Sequence, residues 1–115
     1  MRLPKVENAE IPETKITRYL LSTTHRAGKS KAFFFRQFGF DLGRWEALAL
    51  ALKQHASDTE VALEKKTIFG TRYIIDGLLK APDGRWLNIR TARFIDKDGD
   101  APRFVTAHPL RRRRS

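Results

Sequence analysis

The stretch TEVALEKKTIFGTRYIIDGLLKAPDGRWLNIRTARFI, residues 59–95, decides the fold. Up to its start, apolar residues recur at helical spacing. From Thr59 onward they recur at every second position, as in Val61 and Leu63, Tyr73 and Ile75, and Leu87 and Ile89. That is the spacing at which strand side chains share one face. Phe69-Gly70, Pro82-Asp83-Gly84 and the later run Asp96 to Asp100 are turn signals, because glycine, proline and aspartate accept the backbone angles that reverse a chain. They divide the region into four strands at about 60–68, 71–80, 85–95 and 103–108. Connections this short predict an antiparallel meander, since parallel strands need crossovers of a dozen or more residues.

Upstream, Trp45, Leu48, Ala49, Leu52 and Ala56 fall on one face of the longest helix, with Asp41 placed to cap it. A second helix is predicted from Lys31 to Phe38, capped by Ser30 and stopped by Gly39. A short one is predicted from Thr14 to Leu21, with Ile16, Tyr19 and Leu20 on its buried side. Residues 1–13, with Pro4 and Pro12, read as an extended arm, residues 14–109 as a single α+β domain, and residues 110–115 as a disordered basic tail. At 115 residues there is room for one core only.

Lysine and arginine number 23 against 13 acids, a formal charge of +10, of which the run Arg111, Arg112, Arg113 and Arg114 supplies four. The domain proper is thus basic in its own right, which suits a polyanion. No cysteine is present, so neither disulfides nor thiolate-held zinc enter the reading. With no secretory h-region and no apolar run near the ~18 residues of a membrane span, the expected location is the cytoplasm. Signal-independent secretion is the alternative.

Several motifs fall away on inspection. Gly28-Lys29-Ser30 copies the end of a phosphate-binding P-loop, but Thr23 stands where its first glycine belongs. Asp96, Asp98 and Asp100 resemble a calcium loop, yet Gly99 is out of register and Ala107 occupies the glutamate position. His25, His55 and His108 are too scattered for a metal-ligand spacing. Neither a metal nor any other cofactor is expected. His55, late in the long helix, reads as structural, its charge favoured by the helix dipole. Of Phe33, Phe34 and Phe35, consecutive on a helix, one is expected to face solvent.

What remains is a constellation of cations and hydroxyls. His25, Lys29 and Lys31 come from the loop and start of the second helix, and Arg90, Thr91, Arg93, Thr106 and His108 from the last two strands. Metal-free RNA cleavage needs a base for the 2′-hydroxyl, an acid for the departing 5′-oxygen, and donors on the crowded phosphate. These residue types supply all three. Strand alternation puts Thr91 and Arg93 on one face of the third strand and Arg90 on the other, and groups Phe104, Thr106 and His108 on one face of the fourth.

Five of these residues, His25, Lys29, Lys31, Thr106 and His108, lie within two of four motifs that run along the chain: K-I-T-R-Y-L-L at 15–21, H-R-A-G-K-S-K-A-F-F-F at 25–35, G-T-R-Y at 70–73 and P-R-F-V-T-A-H-P at 102–109. In these the chain resembles a bacterial domain family of unassigned function, itself similar to ribonuclease toxins of the barnase, EndoU, colicin-tRNase and RelE type. Those also place helices before a four-stranded antiparallel sheet. The chain departs from the pattern at Arg26, where proline is usual, and at His108, where tyrosine is common.

The resemblance implies a metal-independent endoribonuclease with catalytic positions at His25, Lys31, Arg90, Thr106 and His108. His25 would be the general acid or base, with His108 a second histidine able to take that part. Lys31 and Arg90 would hold the phosphate and Thr106 would donate to it. Lys29, Arg93, Arg103, Arg111, Arg112, Arg113 and Arg114 are the expected RNA contacts. The expected partners are RNA and an acidic antitoxin or immunity protein, with no membrane. A non-catalytic nucleic-acid-binding module and a protein-interaction or phage-associated domain are the alternatives. The catalytic reading requires His25, Lys31, Arg90 and Thr106 to converge on one surface, which folding alone does not demand.

Overall fold

The change of period at Thr59 marks the boundary between a helical half and a sheet. The computed structural model describes residues 1–26 and 28–110. Of the expected RNA contacts, Arg111, Arg112, Arg113 and Arg114 lie outside the described residues. Helix α1 runs Glu13–Lys15 and continues in wider π-type turns over Ile16–Leu20, where Leu21 N–H reaches back five residues to the Ile16 carbonyl at 2.8 Å. Helix α2 spans Lys29–Gln37 and α3 spans Trp45–Asp58. Strands β1 (Leu63–Thr67), β2 (Gly70–Lys80), β3 (Trp86–Asp96) and β4 (Arg103–Pro109) pair in the order β1-β2-β3-β4, all antiparallel. The expected α+β meander is thus the fold.

The local signals act largely as read. The Asp41 carboxylate accepts the Arg44 N–H at 2.9 Å and caps a 3₁₀ turn, Leu42–Arg44, that leads into α3. Gly39 follows α2 at φ 101°, a left-handed angle that glycine adopts without steric cost. Of the three consecutive phenylalanines on α2, Phe35 is buried and Phe33 is the exposed one. Ser30 is not the cap of α2, because the helix begins one residue before it and Gly28 occupies the capping position. Residues 1–12 lie against the domain: Leu3 and Ala9 are buried, Val61 N–H donates to the Met1 carbonyl, and Glu10 forms a bridge with Arg103.

Helix α3 turns Leu48, Leu52, His55 and Ala56 toward the sheet, where Ile75 and Leu79 of β2, Leu87, Ile89 and Thr91 of β3, and Phe104 and Ala107 of β4 meet them. Alternation leaves Asp76, Arg90, Ala92, Thr106 and His108 on the opposite face.

The fourth strand corrects one expectation. Phe104, Thr106 and His108 do not share a face, because the β3–β4 register shifts at Ala92/Arg93. Thr106 pairs with Ala92 and Phe104 with Arg93. Val105 is the extra residue of this bulge, and one inserted residue reverses the facing of everything beyond it.

Arg93 corrects another. Expected as an RNA contact, it is instead 0% exposed. Its Nη2 donates to the Leu52 carbonyl at 2.8 Å, its Nε to Thr91 Oγ1 at 3.4 Å, and its guanidinium lies 5.0 Å from the Phe104 ring centre. Burial lowers its pKa to about 10, so it stays a cation at neutral pH while facing the core.

His55 is structural, but not through the helix dipole. It is 2% exposed, and its Nε2–H is shared between the Gly77 and Ile89 carbonyls at 3.1 Å each. Nδ1 is buried without a partner. Burial, reinforced by the charge of Arg93 and only partly opposed by the two carbonyls and Asp76, lowers its pKa. The folded value therefore lies below the unfolded one of 6.5. Between the two, the unfolded chain binds a proton that the folded chain refuses. Stability should be full above pH 6.5 and fall as the pH drops below it, with His108, also depressed, adding to the same window. Urea midpoints compared at about pH 7.5 and about pH 5.5 should show the loss, and a His55→Phe variant should show less of it.

Candidate functional site

The site begins with a close approach of backbones. A Cβ on Gly28 would lie 2.1 Å from the Tyr19 carbonyl oxygen and 3.0 Å from Tyr19 Cδ1. Only glycine lets the start of α2 press onto the end of α1 in this way. The contact brings Lys31, half-buried in the first turns of α2, beside Tyr19. Lys31 Nζ donates to Tyr19 Oη and, at 2.8 Å, to Thr106 Oγ1; the two hydroxyls are 3.0 Å apart. Lys31 Nζ also lies 4.7 Å from the Tyr19 ring centre, and Lys15 Nζ 5.9 Å from it. β4 is the last strand of the sheet, and Lys15 Nζ donates to its Val105 carbonyl at 3.3 Å as Lys31 Nζ reaches its Thr106.

Burial works against ionising Tyr19, but the hydrogen bonds of Lys31 and Thr106 and the charges of Lys31 and Lys15 outweigh it. The net effect is a lowered pKa. Lysine, phenol and threonine hydroxyl thus form one polar cluster whose net character favours an anion.

His25 adjoins this cluster. Its ring meets the Tyr19 ring edge-on, with centres 5.1 Å apart, and its Nδ1 accepts the Gly28 N–H at 3.0 Å. That bond requires a lone pair on Nδ1, so the ring's proton is carried by Nε2. The loop is braced by Ser22, whose Oγ accepts the N–H groups of Thr24 at 3.3 Å and His25 at 3.1 Å. A serine hydroxyl supplies here the order that a proline at position 26 would otherwise lend.

A second row crosses the same sheet face. Asp76, Arg90 and His108 are direct partners across β2, β3 and β4. Arg90 grips Asp76 with two bonds, Nε to Oδ1 at 2.7 Å and Nη2 to Oδ2 at 2.8 Å. The hydrogen bonds of Arg90, helped by its charge, hold the Asp76 carboxyl below the usual range, and Asp76 likewise raises Arg90. Arg90 accordingly meets any ligand as a paired cation, not a free one. His108 is lowered first by burial and then by the positive charges of Lys31 and Arg90, with Asp76 opposing. On β4 it stands opposite Arg90 and two residues beyond Thr106, which links the arginine row to the lysine cluster.

Four of the five expected catalytic positions, Lys31, Arg90, Thr106 and His108, thus lie around the open sheet face, and His25 reaches the cluster through Tyr19. Lys29 is exposed at the start of α2. Arg103 is exposed but already paired, Nε and Nη2 each 2.9 Å from the Asp96 carboxylate. Tyr19 and Asp76 are site residues that sequence reasoning does not single out. Tyr19 has the look of a buried helix position, although its motif carries the tyrosine with Lys15. Asp76 gives no signal, because its partner is fourteen residues away. Among the described residues, no three His, Asp or Glu side chains are grouped to hold a metal ion, and no helix is long and apolar enough to cross a membrane.

The family described as Domain of unknown function (DUF6883) matches residues 2–111, and the chain belongs to that family. Among solved structures, the chain is similar to one chain of "Contact-dependent growth inhibition toxin - immunity protein complex from Klebsiella pneumoniae 342". The TM-score is 0.71 at 17% identity, over 93% of this chain and 97% of that one. At that identity the likeness is one of fold. No curated protein sequence matches the chain.

The two tyrosines make the cluster observable. Tyr73 is raised, chiefly by burial, while Tyr19 is lowered. Tyrosinate absorbance should therefore rise in two steps, one below and one above the ordinary value of 10.0. Lys31→Met should move the lower step up and leave the other in place. A single step near the ordinary value would contradict the Tyr19–Lys31–Thr106 contact.

Proposed function

We propose that this member of the DUF6883 family is a metal-independent endoribonuclease of the toxin type, cleaving RNA through a 2′,3′-cyclic phosphate. The observation that carries the proposal is the contact of Lys31 Nζ with Thr106 Oγ1 at 2.8 Å, beside Tyr19 and on the same sheet face as His108 and Arg90. Folding does not require a lysine, a phenol and a hydroxyl from three separate elements to meet, whereas an RNA phosphate does require such donors.

In this mechanism the scissile phosphate sits against Lys31 and Thr106, with Tyr19 Oη as a further hydrogen-bond partner. The base must hold a lone pair at neutral pH. His108, kept below the ordinary histidine value by burial and by two cations, is neutral there and removes the 2′-hydroxyl proton. The 2′-oxygen then attacks phosphorus and the 5′-oxygen leaves. His25, whose Nδ1 lone pair is engaged by Gly28 N–H, presents its Nε2–H as a hydrogen-bond donor that stabilises charge on the leaving 5′-oxygen, and that oxygen takes its proton from water. Arg90, held by Asp76, contributes field at the phosphate rather than a free fork. With a net charge of +10, the natural protein partner is an acidic immunity protein or antitoxin that covers this face, and the compartment of action is the cytoplasm, where RNA is.

Incubating the purified protein with total RNA in excess EDTA should give cyclic-phosphate ends. His108→Ala should cost roughly 10² to 10⁴ in rate, the usual scale for a general acid or base, with little change in RNA affinity. The acid limb of kcat/KM should fall below pH 6.5, following the lowered His108. Binding without turnover in EDTA or in added divalent ions would make the protein a nucleic-acid-binding module instead. Cleavage lost only on chelation would refute the metal-independent mechanism.

A further inference from the structure

His25 belongs to two environments. One edge of its surroundings is the Tyr19–Lys31–Thr106 cluster. The other is an open cavity of about 460 Å³, lined by Thr17, Arg18, Ser22, Thr23, Thr24, His25 and Leu42. Its walls come from the π-type turns of α1, the loop before α2 and the 3₁₀ turn before α3. Its volume falls within the few hundred Å³ of a small-ligand site.

Its lining is chemically selective. Thr23 and Thr24 contribute hydroxyls that can both donate and accept, as suits the edge of a nucleobase, while those of Thr17 and Ser22 are engaged in holding the walls. Arg18 is exposed and brings a planar guanidinium of the kind on which unpaired RNA bases stack. Leu42, 40% exposed, supplies an apolar wall. The loop is also held in advance: Ser22 Oγ takes two backbone N–H groups and lies 3.2 Å from Thr24 Oγ1, while Thr17 Oγ1 is tied to the Glu13 carbonyl at 3.1 Å. A ligand entering here meets fixed walls and spends little free energy on ordering them.

We infer that this cavity is a recognition subsite for one unpaired nucleobase of the RNA strand, taken from the nucleotide whose phosphate occupies the Lys31–Thr106 cluster. The inference rests on the ribonuclease reading, and His25 is its hinge: the ring closes the cavity on one side and meets the Tyr19 ring on the other. Thr23 and Arg18 are the specificity-determining residues. Ser22 and Thr17 hold the loop and the helix end and are poor positions for a test.

The test uses four short single-stranded RNA oligonucleotides that differ in one nucleotide, in cleavable form and with a 2′-deoxy sugar at that nucleotide. Binding is measured by fluorescence anisotropy with the deoxy set and kcat/KM with the cleavable set. The intact protein should prefer one base by about 10-fold, the lower part of the discrimination given by good base-edge contacts. Thr23→Val and Arg18→Ala should bring the four toward equality. Circular dichroism should confirm that both variants fold, and Thr23→Ser should restore the preference. Equal handling of the four bases by the intact protein would overturn the inference, as would a preference that survives both variants. A uniform loss across all four in Arg18→Ala would overturn it too, marking Arg18 as a phosphate contact only. If no oligonucleotide is cleaved but base-dependent affinity in the deoxy set disappears in the variants, the subsite stands and the catalytic reading fails separately.

Discussion

One extra residue in β4 governs the rest of the molecule. Without the bulge at Val105, strict alternation from Phe104, which packs in the core, would turn Thr106 and His108 inward as well. Buried there, they would face Leu48 and Leu52 of α3, and an unpartnered hydroxyl and imidazole would each cost about 1–3 kcal/mol. With it, Phe104 fills the core beside Arg93, Ala107 does so beside Thr91, and Thr106 and His108 emerge on the other face with Arg90 and Asp76. The polar site and the apolar core are two consequences of one register shift.

The core tolerates two ionisable groups in different ways. His55 is accommodated as a neutral ring that donates one N–H to two carbonyls. Arg93 remains charged, and moving a cation into the interior costs several kcal/mol. Its hydrogen bond to the Leu52 carbonyl and its place over the Phe104 ring offset part of that cost, while Nη1 stays buried without a partner. Its role is then positional: it ties the middle of α3 to β3 at the level of the bulge.

Around the site the charges act together. Lys31 lowers Tyr19 by bonding to it and lowers His108 through its field, while Arg90 lowers His108 and is itself steadied by Asp76. The cluster is thus tuned by neighbours from α1, α2 and three strands. The likeness in fold to a chain of a toxin–immunity complex fits this division, in which the helices and sheet are a common frame and the chemistry is carried by side chains set upon it.

Much of the frame was legible along the chain. The period change at Thr59, the Gly70 and Gly84 turns and the Asp41 cap each act within a few residues, and local geometry is written in local sequence. The fold class, the strand order and the face of α3 followed from them. Which polar residues belong together did not follow. Arg90 and Arg93 look alike in sequence, yet one lies in a bidentate pair on the open face and the other in the core. Tyr19 looked like an apolar helix position until Gly28 let α2 close on it. Phe104 and Thr106 looked like neighbours on one face, and a bulge separated them. These outcomes depend on contacts across nine to eighty-seven residues of chain, and on a single inserted residue. Periodicity cannot register them, because it records where a side chain points relative to its own backbone and not what another element brings to meet it.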